Sequence, residues 1–298
     1  AAPERRQELA SGDQVALLGR LLTIERDGYL HQRDPVLYEE EARRILGGRR
    51  ARESSPRTPP EVYRRFLEQE CRRNGADVAC EQTPRYVFHV EEIHRLLPGA
   101  RVVNMVRDPR AVLLSQKNKW KRRFLGGDGV PRAEALRSWI NYHPATISQV
   151  WRSSVLAARE VTDEPWVRNV RFEDVLREPG GQVTAICEFA GLEFREDMLA
   201  VPQVGSSNAP DRPEERGIDD SRLGSWREGG LSATELWICQ KLAGSAARKH
   251  GYAPVDSRPT LTGLVGHGTT FPLKTGLALA ANLGRFSDLP RAVLRRLR

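Results

Sequence analysis

Arg107 and Ser115 stand eight residues apart and have the chemistry to hold one anion between them. A guanidinium offers a fork of charge-assisted donors, and a hydroxyl adds one more. The stretch that carries them, Arg101-Val-Val-Asn-Met-Val-Arg-Asp-Pro-Arg-Ala-Val-Leu-Leu-Ser115, changes character in its middle. The apolar run Val102 to Val106 stops at Arg107-Asp-Pro109 and gives way to apolar residues at helical spacing, which reads as buried strand, tight turn and helix. Arg107 is therefore expected at the carboxyl end of a strand, the edge at which open α/β sheets bind ligands. Pro109 has the fixed φ suited to a first helical turn, and Ser115 follows about two turns into that helix. Eight Lys or Arg lie between Arg101 and Arg123 against one acid, Asp108, so positive potential surrounds the expected anion site.

The run Val106-Arg-Asp-Pro-Arg-Ala-Val-Leu-Leu-Ser115 resembles the signature with which sulfotransferases hold the 3′-phosphate of the sulfate donor, 3′-phosphoadenosine 5′-phosphosulfate (PAPS). The resemblance implies that Arg107 and Ser115 are the 3′-phosphate ligands. The plainer alternative is a strand-to-helix corner whose arginine is solvated or paired with an acid. A second stretch, Glu81-Gln-Thr-Pro-Arg-Tyr86, resembles the Glu-Lys-Thr/Ser-Pro-x-Tyr of the acceptor site in glycan and related sulfotransferases, where the Glu is the catalytic base. That gives Glu81 the task of taking the proton from an attacking hydroxyl or amine, against the alternative of a helix-capping or surface acid. The family's lysine, which stabilises the leaving phosphate, is Gln82 here; an amide can donate a hydrogen bond but carries no charge.

Two further stretches extend the likeness. Trp166-Val-Arg-Asn-Val-Arg-Phe-Glu-Asp-Val-Leu-Arg-Glu-Pro179 is similar to the Arg-Tyr-Glu-Asp-Leu strand end of the same superfamily, with Phe172 in place of the tyrosine that lies near the nucleotide. Phe172 could equally be a core residue. Arg222-Leu-Gly-Ser-Trp-Arg227 resembles the late Gly-x-Trp segment that closes over the 3′-phosphate end of PAPS, with Arg222 the preferred ligand; the alternative is a plain loop before a helix at 233–249. The resemblance implies in-line transfer of a sulfuryl group from PAPS to a small-molecule, glycan or lipid acceptor, with no metal.

One part of the family pattern is not found. Nothing in residues 1–76 resembles Gly-x-x-x-x-Gly-Lys-Ser/Thr or the Arg-Ser-Gly-Thr-Thr loop that holds the 5′-phosphosulfate. The expectation is a sulfotransferase fold without its first strand and phosphate loop, which residues preceding Ala1 would carry. A truncated or degenerate module that binds nucleotide or a partner without catalysis is the alternative, and the same absence disfavours a P-loop kinase. Gly266-His-Gly-Thr-Thr270 does not fill the gap, because Pro272 follows closely and only Leu264-Val265 precedes it as an apolar run.

The elements that must position these residues read as a three-layer α/β architecture with a mostly parallel sheet. Strands are expected at 77–80, 102–106 and 166–171. Helices are expected in 14–24 and 60–73, at 86–97, across 132–160 with Pro144 as a kink or break, and at 182–190 and 233–249. Residues 1–257 are expected to form one domain, helical and on the acceptor side to 76, nucleotide-binding from 77 to 250, with a polar acceptor-side loop at 203–220. A basic tail, 258–298, follows, with a short helix from Ser287 to Leu294 that is either solvated or in weak contact with an anionic membrane surface.

The net charge of +8 favours anionic ligands. Lys117-Asn-Lys-Trp-Lys-Arg-Arg123 is basic and carries Trp120, but no nucleic-acid module surrounds it, so nucleic acid is not expected as a partner. Cys71, Cys80, Cys187 and Cys239 are too dispersed for zinc and read as reduced core or helix residues. His89 and His94 read as surface or boundary positions of a helix rather than bases. With no run of eighteen apolar residues and no signal-peptide core, the expected location is cytoplasmic or membrane-peripheral.

Overall fold

The computed structural model describes residues 8–28, 38–47, 58–126, 130–221 and 223–282. The chain packs as two compact units, Ala1–Ala100 and Arg101–Arg298.

In the first unit three helices, α1 (Ser11–Asp27), α2 (Glu39–Gly47) and α3 (Pro59–Asn74), bury one stripe each. Val15, Leu18, Leu22, Ala42, Val62 and Phe66 meet in a single cluster. α3 starts on a capping box between Thr58 and Glu61 and stops at Gly75, whose φ of 62° suits a residue without Cβ. Glu70, 9% exposed, answers both Arg26 and Arg73 at 3.3 Å, tying α3 to α1.

The strand expected at 77–80 does not form. Those residues are exposed and irregular, Val78 at 52%. Asp77-Val-Ala-Cys80 is short, with a single β-branched residue, and pairs with no strand among the described residues. A 3₁₀ turn over Pro84–Phe88 and α4 (Val90–Leu96) complete the unit, in place of the single helix expected from 86 to 97.

The second unit is α/β with a parallel sheet, and it is mostly helical. β1 (Val102–Val106) and β2 (Val167–Arg171) pair in parallel, from Val102 opposite Val167 to Val106 opposite Arg171. Their crossover runs through α5 (Pro109–Asn118), α6 (Arg132–Asn141) and α7 (Pro144–Arg159). Pro144 breaks the long helix as its missing N–H requires: α6 ends at Asn141, and His143 caps α7 by accepting the Ala145 N–H on Nδ1 at 3.2 Å. After β2 come α8 (Phe172–Arg177) and α9 (Pro179–Ala190). Residues 203–220 are not all loop, since β3 (Pro202–Gln203) and β4 (Arg212–Arg216) pair antiparallel there. α10 (Ala233–Lys249) matches its expected bounds. Its alanines 243, 246 and 247 are small enough to let α7 approach, and they close a core with Val106, Trp151, Val155 and Tyr252.

The tail reading from 258 onward is also corrected. Residues Leu261–Asn282 form α11, which docks on α6 and contains Pro272. Gly266 to Thr270 is helix, with the Thr269 and Thr270 hydroxyls bonded back to the carbonyls of Val265 and Gly266. The helix expected at 287–294 lies outside the described residues, among which no helix is long and apolar enough to cross a membrane. All four cysteines are free. Cys71 is on α3, Cys187 and Cys239 are buried, and burial pushes the Cys239 thiol up to about 11. Cys80 departs from the expected core or helix position and is exposed on the irregular segment.

Glu235 joins three elements of this unit. Its buried carboxylate receives Lys117 of α5 at 2.7 Å, the Tyr142 hydroxyl, and the Ser232 N–H at 2.8 Å. Burial alone would raise its pKa, but these donors outweigh burial and hold it below the usual carboxylate range. The unfolded chain therefore takes up this proton at a higher pH than the folded one. Stability from Glu235 is complete above the unfolded value and is lost as pH falls through the lowered folded value. Glu235→Gln is expected to flatten the acid limb of a urea-melt stability profile and to lower stability at neutral pH by roughly 1–3 kcal/mol. An acid limb identical to wild type would show that this carboxylate is not held as described.

Candidate functional site

The corner between β1 and α5 is pinned at three consecutive residues by side chains from three other segments. The Val106 carbonyl accepts the Tyr252 hydroxyl at 3.2 Å. The Arg107 carbonyl accepts the Trp151 indole N–H at 2.9 Å. The Asp108 N–H donates to Glu173 Oε1 at 2.9 Å, and Glu173 Oε2 takes the same Tyr252 hydroxyl at 2.8 Å. Glu173 is 8% exposed and Tyr252 5%. Burial, followed by the hydrogen bond to Glu173, holds the Tyr252 phenol well above its ordinary pKa, so it stays protonated as a donor. Asp108 in turn caps α5 by accepting the Arg110 N–H at 2.9 Å, with Pro109 in the first turn.

On this corner two arginines meet opposite fates. Arg110 is fully occupied: it forks onto Asp108 at 2.9 and 2.7 Å, donates to the Ala253 carbonyl at 2.8 Å, and stacks on the Trp226 ring at 4.0 Å. Arg107 is half-buried, and its guanidinium lies 4.5 Å over the Phe172 ring. It has no hydrogen-bond or ion-pair partner among the described residues. Burial lowers its pKa, while the charges of Glu173 and Asp108 act in the other direction. A partly desolvated cation with its donors unspent is a site prepared for an anion. Ser115, half-buried on α5, likewise has a hydroxyl without a hydrogen bond to any described residue.

Phe172 is half-buried, and its ring centroid lies 4.5 Å from the Arg107 guanidinium in a cation–π contact. Arg222 lies outside the described residues. Its neighbour Trp226 is buried between Arg110 and Arg227, following Gly224 at φ 77°. The Gly-x-Trp segment therefore supports the α5 corner through its tryptophan.

Glu81 and Gln82 belong to the first unit. The Glu81 carboxylate is exposed and folds onto its own turn, accepting the Gln82 N–H at 2.8 Å and the Thr83 hydroxyl. The Gln82 side-chain amide makes no hydrogen bond to a described residue. Tyr63 sits near this turn: burial first, then Tyr86, then the charge of Glu81 raise its phenol pKa. His89 pairs with Glu92 at 3.2 Å and His94 meets the Ala100 carbonyl at 3.3 Å, which places both in local helix contacts. Sequence reasoning missed Glu173 and Tyr252, and it read Trp151 only as core of the helix expected across 132–160, where it is buried. Glu173 lay inside a quoted motif beside Phe172, whereas Tyr252 gave no local signal.

A protein-family model described as "Sulfotransferase family" matches residues 10–196. Human carbohydrate sulfotransferase 6 is 29% identical over 188 residues, covering 57% of this chain and 47% of the relative. Human carbohydrate sulfotransferase 5 is 29% identical over the same length, covering 57% and 45%. The chain spans about half the length of these curated relatives. Among solved structures, the sulfotransferase domain from the curacin biosynthetic pathway is similar at a TM-score of 0.43 and 17% identity, covering 85% of this chain and 83% of that one.

Replacing Glu173 by Ala removes the acceptor of one buried amide and one buried phenol. Glu173→Ala is expected to lower stability by roughly 2–4 kcal/mol in urea melts, and Tyr252→Phe by about 1 kcal/mol. Because the two residues share one bond, the double variant should lose less than the sum. Strict additivity would show that they do not act together.

Proposed function

This chain belongs to the sulfotransferase family, and we propose that it moves a sulfuryl group from PAPS to a hydroxyl of a glycan acceptor. The observation that carries this reading is Arg107: a half-buried guanidinium, stacked on Phe172, without a counter-ion among the described residues, in the motif that the family uses for the 3′-phosphate. The residues present fit that phosphate. Arg107 supplies charge and a planar fork of donors, and Ser115 adds a hydroxyl. Phe172 keeps the guanidinium in plane beneath it. Arg222 is the further ligand we assign from the Gly-x-Trp segment.

When bound, PAPS supplies an electrophilic sulfur whose bond to the phosphate oxygen breaks as the acceptor oxygen bonds to it. Glu81 takes the proton that the acceptor hydroxyl loses. The Gln82 N–H and the Thr83 hydroxyl hold that carboxylate in one orientation, and both would have to share it with the incoming proton. Gln82, where the motif it resembles has a lysine, would offer the leaving oxygen a neutral donor in place of a charge, a weaker stabilisation of developing charge. The glycan acceptor follows from the names of the two human relatives, each a carbohydrate sulfotransferase.

Transfer from radiolabelled PAPS to a panel of reducing and sulfate-free glycans tests the reading directly; label retained on none of them would count against a glycan acceptor. Charge-assisted hydrogen bonds contribute roughly 1.5–3 kcal/mol, so Arg107→Ala is expected to weaken adenosine 3′,5′-bisphosphate binding by about tenfold or more in calorimetry, and Ser115→Ala by less. Equal affinity in wild type and Arg107→Ala would sink the phosphate assignment. Glu81→Gln should abolish transfer while leaving nucleotide affinity nearly unchanged. Retained turnover in that variant would move the base elsewhere.

A further inference from the structure

Three adjoining elements of the second unit turn large apolar side chains to the outside. α11 rests on the protein through one stripe, with Leu264, His267, Lys274, Ala278 and Asn282 the less exposed positions. The opposite side and its flanks present Leu261 (77% exposed), Val265, Leu273 (63%), Leu277 and Leu279, while Phe271 turns toward the His143 ring at 5.0 Å. Lys274 is the sole charged residue in the sequence from 261 to 282, and it points inward: its ammonium donates to the carbonyls of Trp139 and Tyr142 at 3.3 and 3.1 Å and lies 4.4 Å over the Trp139 ring. The outward side of α11 therefore carries no charge over about six turns. Helices that face water on one side normally carry their charged residues there.

The neighbouring elements continue the same surface chemistry. α6, on which α11 packs, exposes Leu136 and Trp139. The 3₁₀ segment Lys119–Phe124, packed on α6 in turn, exposes Phe124 (70%) together with Lys119 and Lys121. Glu134 is the acid on these three elements, and it is paired with Arg137. Aliphatic, aromatic and basic groups are thus presented together, with the acidic charge neutralised.

Charge selects what covers this face. Residues 283–298, which continue the chain from the end of α11, contain five arginines and one aspartate. A second copy of the chain would bring the same positive charge against itself, whereas an anionic surface would receive it. We propose that the face formed by α11, α6 and Lys119–Phe124 docks on an anionic phospholipid surface. α11 lies in the plane of the interface with its leucines in the acyl boundary, Trp139 and Phe124 sit at headgroup level, and Lys119 and Lys121 meet the phosphates. This inference is independent of sulfuryl transfer.

The full chain should co-sediment with vesicles of phosphatidylcholine containing phosphatidylglycerol, much less with phosphatidylcholine alone, and should be released progressively by salt. The pair Leu273→Glu and Leu277→Glu, at exposed positions, should lower vesicle binding about tenfold with an unchanged melting temperature. Lys119→Glu with Lys121→Glu should weaken it severalfold by the charge route, and this second pair decides the matter if the first does not fold. Absence of sedimentation with either vesicle, or sedimentation that neither pair alters, would overturn the proposal. A dimer in light scattering that the leucine variants dissociate and vesicles do not compete for would assign the face to a second copy and overturn it as well.

Discussion

An arginine can stay uncommitted in a half-buried place only if the acids around it are already satisfied. Arg107 has two carboxylates close by in the chain and the fold, Asp108 and Glu173, and each is taken. Asp108 is clamped by the Arg110 fork and by the Arg110 N–H at the start of α5. Glu173 holds the Asp108 amide on one oxygen and the Tyr252 hydroxyl on the other. With both acids saturated, Arg107 is left with the face of Phe172, a partner that stabilises the cation without consuming its N–H donors. The rest of the second unit can be read as the means of keeping that arrangement: α7 contributes Trp151, α8 contributes Glu173, and the segment after α10 contributes Tyr252.

The backbone of the corner is held by these side chains because a parallel strand end has few other ways to satisfy its polar groups. β1 pairs with β2 through Val106 opposite Arg171, and beyond that register the ladder stops. Val106 O, Arg107 O and Asp108 N would otherwise be buried without partners, at a cost of about 1–3 kcal/mol each. Supplying them from three separate segments also fixes where Arg107 leaves the strand. Stabilisation of the fold and orientation of the candidate ligand are therefore one set of hydrogen bonds.

Local chemistry also explains where the sequence misled. Asp77-Val-Ala-Cys80 has a strand-like run of small and apolar residues, but a strand exists only where a second strand takes its hydrogen bonds, and none does so among the described residues. The segment from 258 is expected as a basic tail on its charge, seven Lys or Arg against one acid. It forms α11 instead, since Lys274 and Asn282 anchor it to the last turn of α6, with Asn282 bonded to Asn141 at 2.9 Å and to Arg137 at 3.1 Å. Those anchors lie more than a hundred residues away along the chain, outside the reach of any periodicity.

What the sequence determined by itself is local. The strand at 102–106, the turn at Arg107-Asp-Pro109, the helix start that follows, the break at Pro144 and the bounds of α10 all follow from apolar spacing, proline geometry and capping, which act between residues at most a few positions apart. Arg107 and Ser115 stand on that strand-turn-helix, whereas Glu81 and Phe172 were singled out by their likeness to family motifs rather than by periodicity. Arg110 finds Asp108 two residues away, but only tertiary structure leaves Arg107 without a hydrogen-bond or ion-pair partner among the described residues, because Glu173 reaches the Asp108 amide across 65 positions and Tyr252 reaches Val106 across 146. It also decided that Phe172 supports Arg107 and that one side of α11 stays uncharged in the open. Such pairings depend on where whole elements come to rest, and a linear pattern of residue types does not encode that placement in any short-range signal.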